Sequence, residues 1–188
     1  GPGRYDGKFQ DYYGNPSWQG WTHVDATYDP VQRWNVSVFQ SPTGTPAIWC
    51  GQESFGNACG PGYGNDWNEN LVFTYTVANP SANTVARLEC IYNWDSEPGF
   101  DYFRIQQNRG GTWETIIQHD DAGSATFDQN ITFTPSDYVG PAGNQLELRF
   151  VGFSDGAWSD EDCLWHTQGL AQVDNIRVTI GASVWYED

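Results

Sequence analysis

Positive charge is scarce in this chain. Lysine and arginine together number 8 against 24 Asp and Glu, a formal net charge of −16, and the one lysine is Lys8. Phosphate backbones are held by clustered cations that displace counterions, so this balance excludes nucleic acid as a partner. It excludes an anionic membrane surface for the same reason. No apolar run approaches the roughly 18 residues that a membrane helix needs, so no membrane insertion is expected. Methionine is absent. The chain is therefore expected to start after any initiator or leader, with Gly1-Pro2 read as a scar of tag removal and residues 1–8 as a lead-in. A CxxC pair, HExxH, GxSxG and a phosphate-gripping glycine loop are all missing. Helical periodicity is missing too.

What is present is aromatic and turn-rich. Aromatic residues make up 16% of the chain, with ten Trp among them, and this excludes intrinsic disorder. Short runs of β-branched and aromatic residues alternate with Gly, Pro, Asn and Asp. They predict strands at Gly20–Thr27, Trp34–Phe39, Pro46–Cys50, Leu71–Val77, Thr84–Trp94, Asp101–Gln107, Thr112–Gln118, Ile131–Thr134, Gln145–Phe153 and Ala171–Ile180. Gln145–Phe150 alternates polar and apolar strictly, giving one wet face and one core face. About ten short strands without helices predict an all-β fold, a two-sheet antiparallel sandwich with long end loops. Residues 1–188 are expected to form a single domain. Residues 182–188 read as a tail, an edge strand or the start of a connector.

Four cysteines, Cys50, Cys59, Cys90 and Cys163, suit disulfides better than zinc, and with them a secreted protein. They allow three connectivities, which sequence leaves open. The shortest staple is Cys50 to Cys59 across a Gly-rich stretch, leaving Cys90 for Cys163. Sequons stand at Asn35-Val36-Ser37 and Asn130-Ile131-Thr132. Two long loops, Gly51–Asn70 and Ser154–Gly169, each hold a cysteine and an excess of aromatic and acidic residues. Loops of that length in a compact domain are usually functional or tethered.

Several segments then line up with a known family. GWTHVDATYD with Trp34, IWCGQESFG, PGYGNDWNENL, DSEPGFDYFRIQQNRGGTW, SDGAWSDED and GLAQVDNIRV resemble, in that order, the choice-of-anchor J / cleaved-adhesin domains of bacterial extracellular proteins, relatives of the MAM domain. Phe9-Gln10-Asp11, Gly20-Trp21, Asp25, Trp34 and Val173-Asp174-Asn175-Ile176 fall at the places of the MAM pattern. The resemblance implies a jelly-roll sandwich, a place in a larger multidomain surface protein, and structural calcium. Relatives often carry Glu where this chain has Gln10, so that ligand would come from Asp11, from a neutral amide oxygen, or not at all.

The candidate chemistry follows from residue types. Calcium takes six to eight oxygens, and a carboxylate on an otherwise apolar strand face is costly unless paired or coordinating. Asp174, read as sharing a side with Ile176 and Val178, is such a residue. The resemblance sets it near Asp25, with Asn70 as an added amide oxygen, and the turn Glu97–Asp101 offers a second pair of carboxylates. A sugar presents C–H bonds to an aromatic face and hydroxyls to acids and amides. Tyr63, Trp67, Tyr102, Trp158 and Trp165 lie in or beside polar loops, with Asp160 and Asp162 next to them, and form the candidate ligand surface. Trp21, Trp34, Trp49 and Trp94 read as core. His119-Asp120-Asp121 has no Ser or Cys nucleophile to activate, and no pair of acids is singled out for hydrolysis. The expectation is a non-catalytic binding or adhesion module, met by a glycan or an extracellular protein. A structural spacer is the alternative, and a carbohydrate-active hydrolase comes third.

Overall fold

A computed structural model describes residues 21–25, 33–37, 41–44, 46–56 and 58–186. The strands are β1 Trp21–Asp25, β2 Trp34–Ser37, β3 Ala47–Cys50, β4 Asn68–Thr76, β5 Thr84–Ser96, β6 Tyr102–Arg109, β7 Thr112–His119, β8 Asp121–Phe133, β9 Gln145–Phe153, β10 Ala171–Ile180 and β11 Ser183–Tyr186. They form two antiparallel sheets, β1-β4-β9-β6-β7 and β2-β3-β10-β5-β8, the sandwich expected of a jelly roll. β11 pairs with β10 beyond the end of β3, so residues 183–186 are an edge strand. Among the described residues, no helix is long and apolar enough to cross a membrane.

The core is a single aromatic-rich cluster between the sheets. Trp21 of β1 stacks on Phe150 of β9 with ring centroids 4.9 Å apart, and Trp34 reaches Phe150 from the opposite sheet. Tyr92 of β5 meets Phe103 of β6 in the same way. Trp49 is also buried, while Trp94 packs part-buried at the edge of the core.

Two differences from the expected strands have clear causes. β8 runs for 13 residues along the whole of β5, where only Ile131–Thr134 was expected. Its inward positions include Gly123, where a side chain would collide with Trp94, and the small Ala125 opposite Tyr92. A strand of Ser, Asp, Gln and Asn with glycine on its core face carries little hydrophobic signal.

The second difference is in β10. A β-bulge lies between Asp174 and Arg177, with Asn175 at φ 52°. The extra residue reverses the alternation: Ala171 and Val173 face the core before the bulge, and Ile176, Val178 and Ile180 face it after. Asp174 therefore points to the outer side, not the side of Ile176 and Val178. There it is fully buried and accepts hydrogen bonds from Ser41, Thr43 and the Asn175 amide.

Candidate functional site

The two long loops are tied to each other. Cys59 and Cys163 form the disulfide, across 104 residues of sequence, while Cys50 and Cys90 are buried free thiols. This corrects the staple from Cys50 to Cys59 and the remaining pair from Cys90 to Cys163. Cys50 lies on β3 and Cys90 on β5, both inside the core cluster, where burial pushes each thiol well up.

Carboxylates inside the loop pair act as braces. Asp160 is fully buried and accepts from the Tyr63 amide at 3.0 Å, the Thr167 amide at 2.9 Å and the Thr167 hydroxyl at 2.7 Å. Removing it would strand three donors in the interior, each at a cost of about 1–3 kcal/mol. The Cβ of any residue replacing Gly62 would fall 1.9 Å from that carboxylate, which is why glycine stands there. Asp162 accepts from the amides of Trp158 and Ser159 and so shapes the turn.

The aromatic residues assigned to a ligand surface in these loops mostly point inward. Tyr63 and Trp67 belong to the core, 0% and 4% exposed, which corrects their assignment, and with it that of Asp160. Trp165 is half-buried against the same core. Trp158 alone of the set is well exposed, at 52%, and its φ is 66°.

Of the carboxylates expected to hold calcium, Glu97 and Asp101 are gathered, and Asp155, which was not among them, joins the pair. Glu97, Asp101 and Asp155 each offer an oxygen within 4.8 Å of the others. Asp101 is fully buried, accepting from the Tyr63 hydroxyl at 2.6 Å and the Asp155 amide at 2.9 Å. Burial and then mutual repulsion push Glu97 up; burial does the same to Asp101 against the pull of its hydrogen bonds. Two other expected ligands, Asp174 and Asn70, are not brought there. Asp174 lies in the six-stranded sheet and Asn70 in the five-stranded one. Asn70 is buried, and its Oδ1 has no hydrogen-bond partner among the described residues. Asp11 and the side chain of Asp25 lie outside the described residues. His119 is stacked on Trp94 at 3.8 Å and bonded to the Tyr92 hydroxyl, and burial pushes its pKa down.

A second constellation was not singled out from the sequence. On β6, Phe103 and Ile105 point into the core, so Tyr102, Arg104, Gln106 and Asn108 occupy the outer face. The Gly110-Gly111 turn, both residues at positive φ, closes the β6–β7 hairpin with Trp113 opposite Asn108. On the other side, β9 sets Phe153 opposite Tyr102 and Arg149 opposite Gln106. Arg149 Nε donates to Gln106 Oε1 at 2.7 Å, and Gln106 Nε2 donates onward to Thr115 Oγ1 at 2.8 Å. Arg104 Nε donates to Gln118 Oε1 at 2.7 Å. The Arg149 guanidinium sits 4.0 Å from the Trp113 ring centroid, and that of Arg104 sits 4.5 Å from Tyr102 and 5.3 Å from Phe153. Burial first, and then the neighbouring Arg104 cation, lower Arg149 to about 10, and burial lowers Arg104 too; both stay charged at neutral pH. The result is a fixed row of rings, amides and guanidinium planes across three strands. Of this row, only Tyr102 was among the expected ligand residues.

No family model and no curated protein matches the sequence. Solved structures similar to the chain include the enzymatically active domain of bacteriophage CBA120 tailspike protein 4, at 9% identity and a TM-score of 0.48 over 94% of this chain. The chain spans 21% of the length of that protein. The CBM22-1 xylan-binding domain of Paenibacillus barcinonensis Xyn10C is similar at 11% identity and a TM-score of 0.49, over 90% of each chain. The K1 cleaved adhesin domain of Lys-gingipain from Porphyromonas gingivalis W83 is similar at 12% identity and a TM-score of 0.46, over 88% of this chain and 93% of that one. Likeness at these values carries no argument about what the chain binds.

Proposed function

We propose that the chain is a non-catalytic carbohydrate-binding module of an extracellular protein, and that it holds its ligand on the outer face of β6, β7 and β9. The observation that carries this is the row formed by Tyr102, Arg104, Trp113, Arg149 and Phe153, with Gln118 beside Arg104 and the buried Gln106 bracing Arg149 from beneath. Rings supply apolar faces for sugar C–H bonds, and fixed amide and guanidinium groups supply hydrogen bonds to hydroxyls. Their side chains are anchored to one another before any ligand arrives, which lowers the ordering cost of binding. The disulfide suits an oxidising, extracellular setting.

Calcium belongs to the same reading, at Glu97, Asp101 and Asp155. Three carboxylates that close repel one another, and a hard divalent cation with oxygen ligands would offset that repulsion.

The test is retention of the full chain by a panel of immobilised polysaccharides. Binding to at least one, lost in Trp113→Ala, supports the reading. No retention by any polysaccharide would favour a spacer or assembly domain instead.

A further inference from the structure

The ligand-facing row is cationic in a chain that is otherwise strongly acidic. Arg104 and Arg149 are two of only eight Lys and Arg residues, and the net charge is −16. Elsewhere, Arg87, Arg109 and Arg177 each sit against a carboxylate. Among the described residues, Arg104 and Arg149 form no ion pair. Each instead spends its Nε on a neutral glutamine, Gln118 for Arg104 and Gln106 for Arg149. Neither guanidinium uses its Nη atoms in a hydrogen bond among the described residues.

This arrangement is wasteful for a neutral ligand. Two like charges stand as diagonal neighbours, Arg104 opposite Val151 and Arg149 two residues before it on the same strand. Burial first, and then the Arg104 cation, lowers the Arg149 pKa, while Glu147, two residues before it and already accepting from Asn108 Nδ2, acts the other way. A guanidinium fixed through Nε and by a ring presents a rigid fork of N–H donors, the geometry that matches a carboxylate or sulfate two bonds at a time. An anion bound there relieves the repulsion and fills the open donors.

Resting on the carbohydrate reading above, we propose that the ligand is an acidic polysaccharide, whose carboxylate or sulfate groups are taken by the Arg104 and Arg149 guanidinium groups. The charge of the whole protein repels polyanions at long range. Retention by an acidic polymer thus reports local contact and not diffuse adsorption.

The experiment compares four polymers: polygalacturonate, its fully methyl-esterified form, dextran sulfate and neutral xylan. The proposal expects polygalacturonate or dextran sulfate to bind at least about tenfold tighter than both uncharged polymers, the range of one or two charge-assisted hydrogen bonds. Whichever of the two binds identifies the anion as carboxylate or sulfate. Arg104→Gln and Arg149→Gln should each reduce that preference about tenfold, with thermal unfolding confirming the fold, and Arg149→Lys should rescue it only in part. Esterified polygalacturonate or xylan binding as well as the acidic polymers would overturn the proposal and leave the carbohydrate reading standing. So would an acidic preference unchanged in both glutamine variants. Failure of all four polymers to bind, with another polysaccharide of the panel retained, would overturn this proposal alone; failure of the whole panel would take down the carbohydrate reading, and this proposal with it.

Discussion

The Arg149 guanidinium lies over the Trp113 ring, 4.0 Å from its centroid, joining β9 to β7 across β6. The contact fixes both partners, since Arg149 Nε is also held by Gln106. A planar cation on an indole is worth about 0.5–2 kcal/mol, depending on how well it is desolvated. The proposed binding face thus rests on three paired strands, whereas the two long loops are joined to each other by Cys59–Cys163.

Thiol counting checks the cysteine assignment. Native protein should show no reactive thiol, because Cys50 and Cys90 are buried. Unfolding without reductant should reveal two, and reduction four. Cys163→Ser should lower stability by about 2–4 kcal/mol, because the bond closes a long loop in the unfolded chain. Fast labelling of two thiols in native protein would contradict the burial of both.

Asp95 gives a pH signature. Burial pushes its carboxyl up to about 6, and the charges of Asp160 and Asp121 push the same way. The Trp165 indole draws it partly back, although among the described residues its Nε1–H meets no acceptor in full hydrogen-bond geometry. Between the ordinary Asp value and about 6, the native state holds a proton that the unfolded chain has lost. This group's contribution to stability therefore falls as pH rises through that window. Asp95→Asn should stabilise by about 1 kcal/mol at pH 7, discounted for partial exposure, with the gain vanishing near pH 4. Denaturant unfolding at the two pH values measures this. An equal effect at both would contradict it.

The β10 bulge predicts its own substitutions. Asn175 sits at φ 52°, where a β-branched residue is strained. Asn175→Val should cost about 1–2 kcal/mol in thermal or chemical unfolding. Asn175→Gly should change stability by only a few tenths. A neutral valine variant would mean that the strand runs without the bulge.

Calcium is checked by melting temperature. Millimolar calcium should raise it and a chelator lower it, because a ligand bound only by the native state stabilises by mass action. Asp155→Asn should remove the response. A melting temperature indifferent to both additions would remove calcium from the account.

Most of the fold was legible in the sequence, because alternating strands and turn residues write their period locally. Gln145–Phe153 and Ala171–Ile180 have the bounds that the pattern gave. The bulge was not legible: one extra residue at Asn175 inverts the face assigned to Asp174, and only pairing with β5 reveals it. The long loops were found as a pair, yet composition does not say which way a ring points, and Tyr63 and Trp67 turned inward. The platform on β6 left a signal that went unread. Tyr102, Arg104, Gln106 and Asn108 alternate with Phe103 and Ile105, a pattern that ordinarily marks nothing more than a solvated strand face. That these side chains join Arg149 and Trp113 depends on the strand order β9-β6-β7, a property of topology.

The most direct test sets two tryptophans against each other. Titrating a polysaccharide retained by the wild-type chain into Trp113→Ala and Trp158→Ala measures which surface is used. The sheet-face account predicts at least about a tenfold loss of affinity in Trp113→Ala, from about 1.4 kcal/mol of lost stacking and support for Arg149, and no change in Trp158→Ala. Full affinity in Trp113→Ala, with binding lost in Trp158→Ala, would contradict it and return the site to the loops.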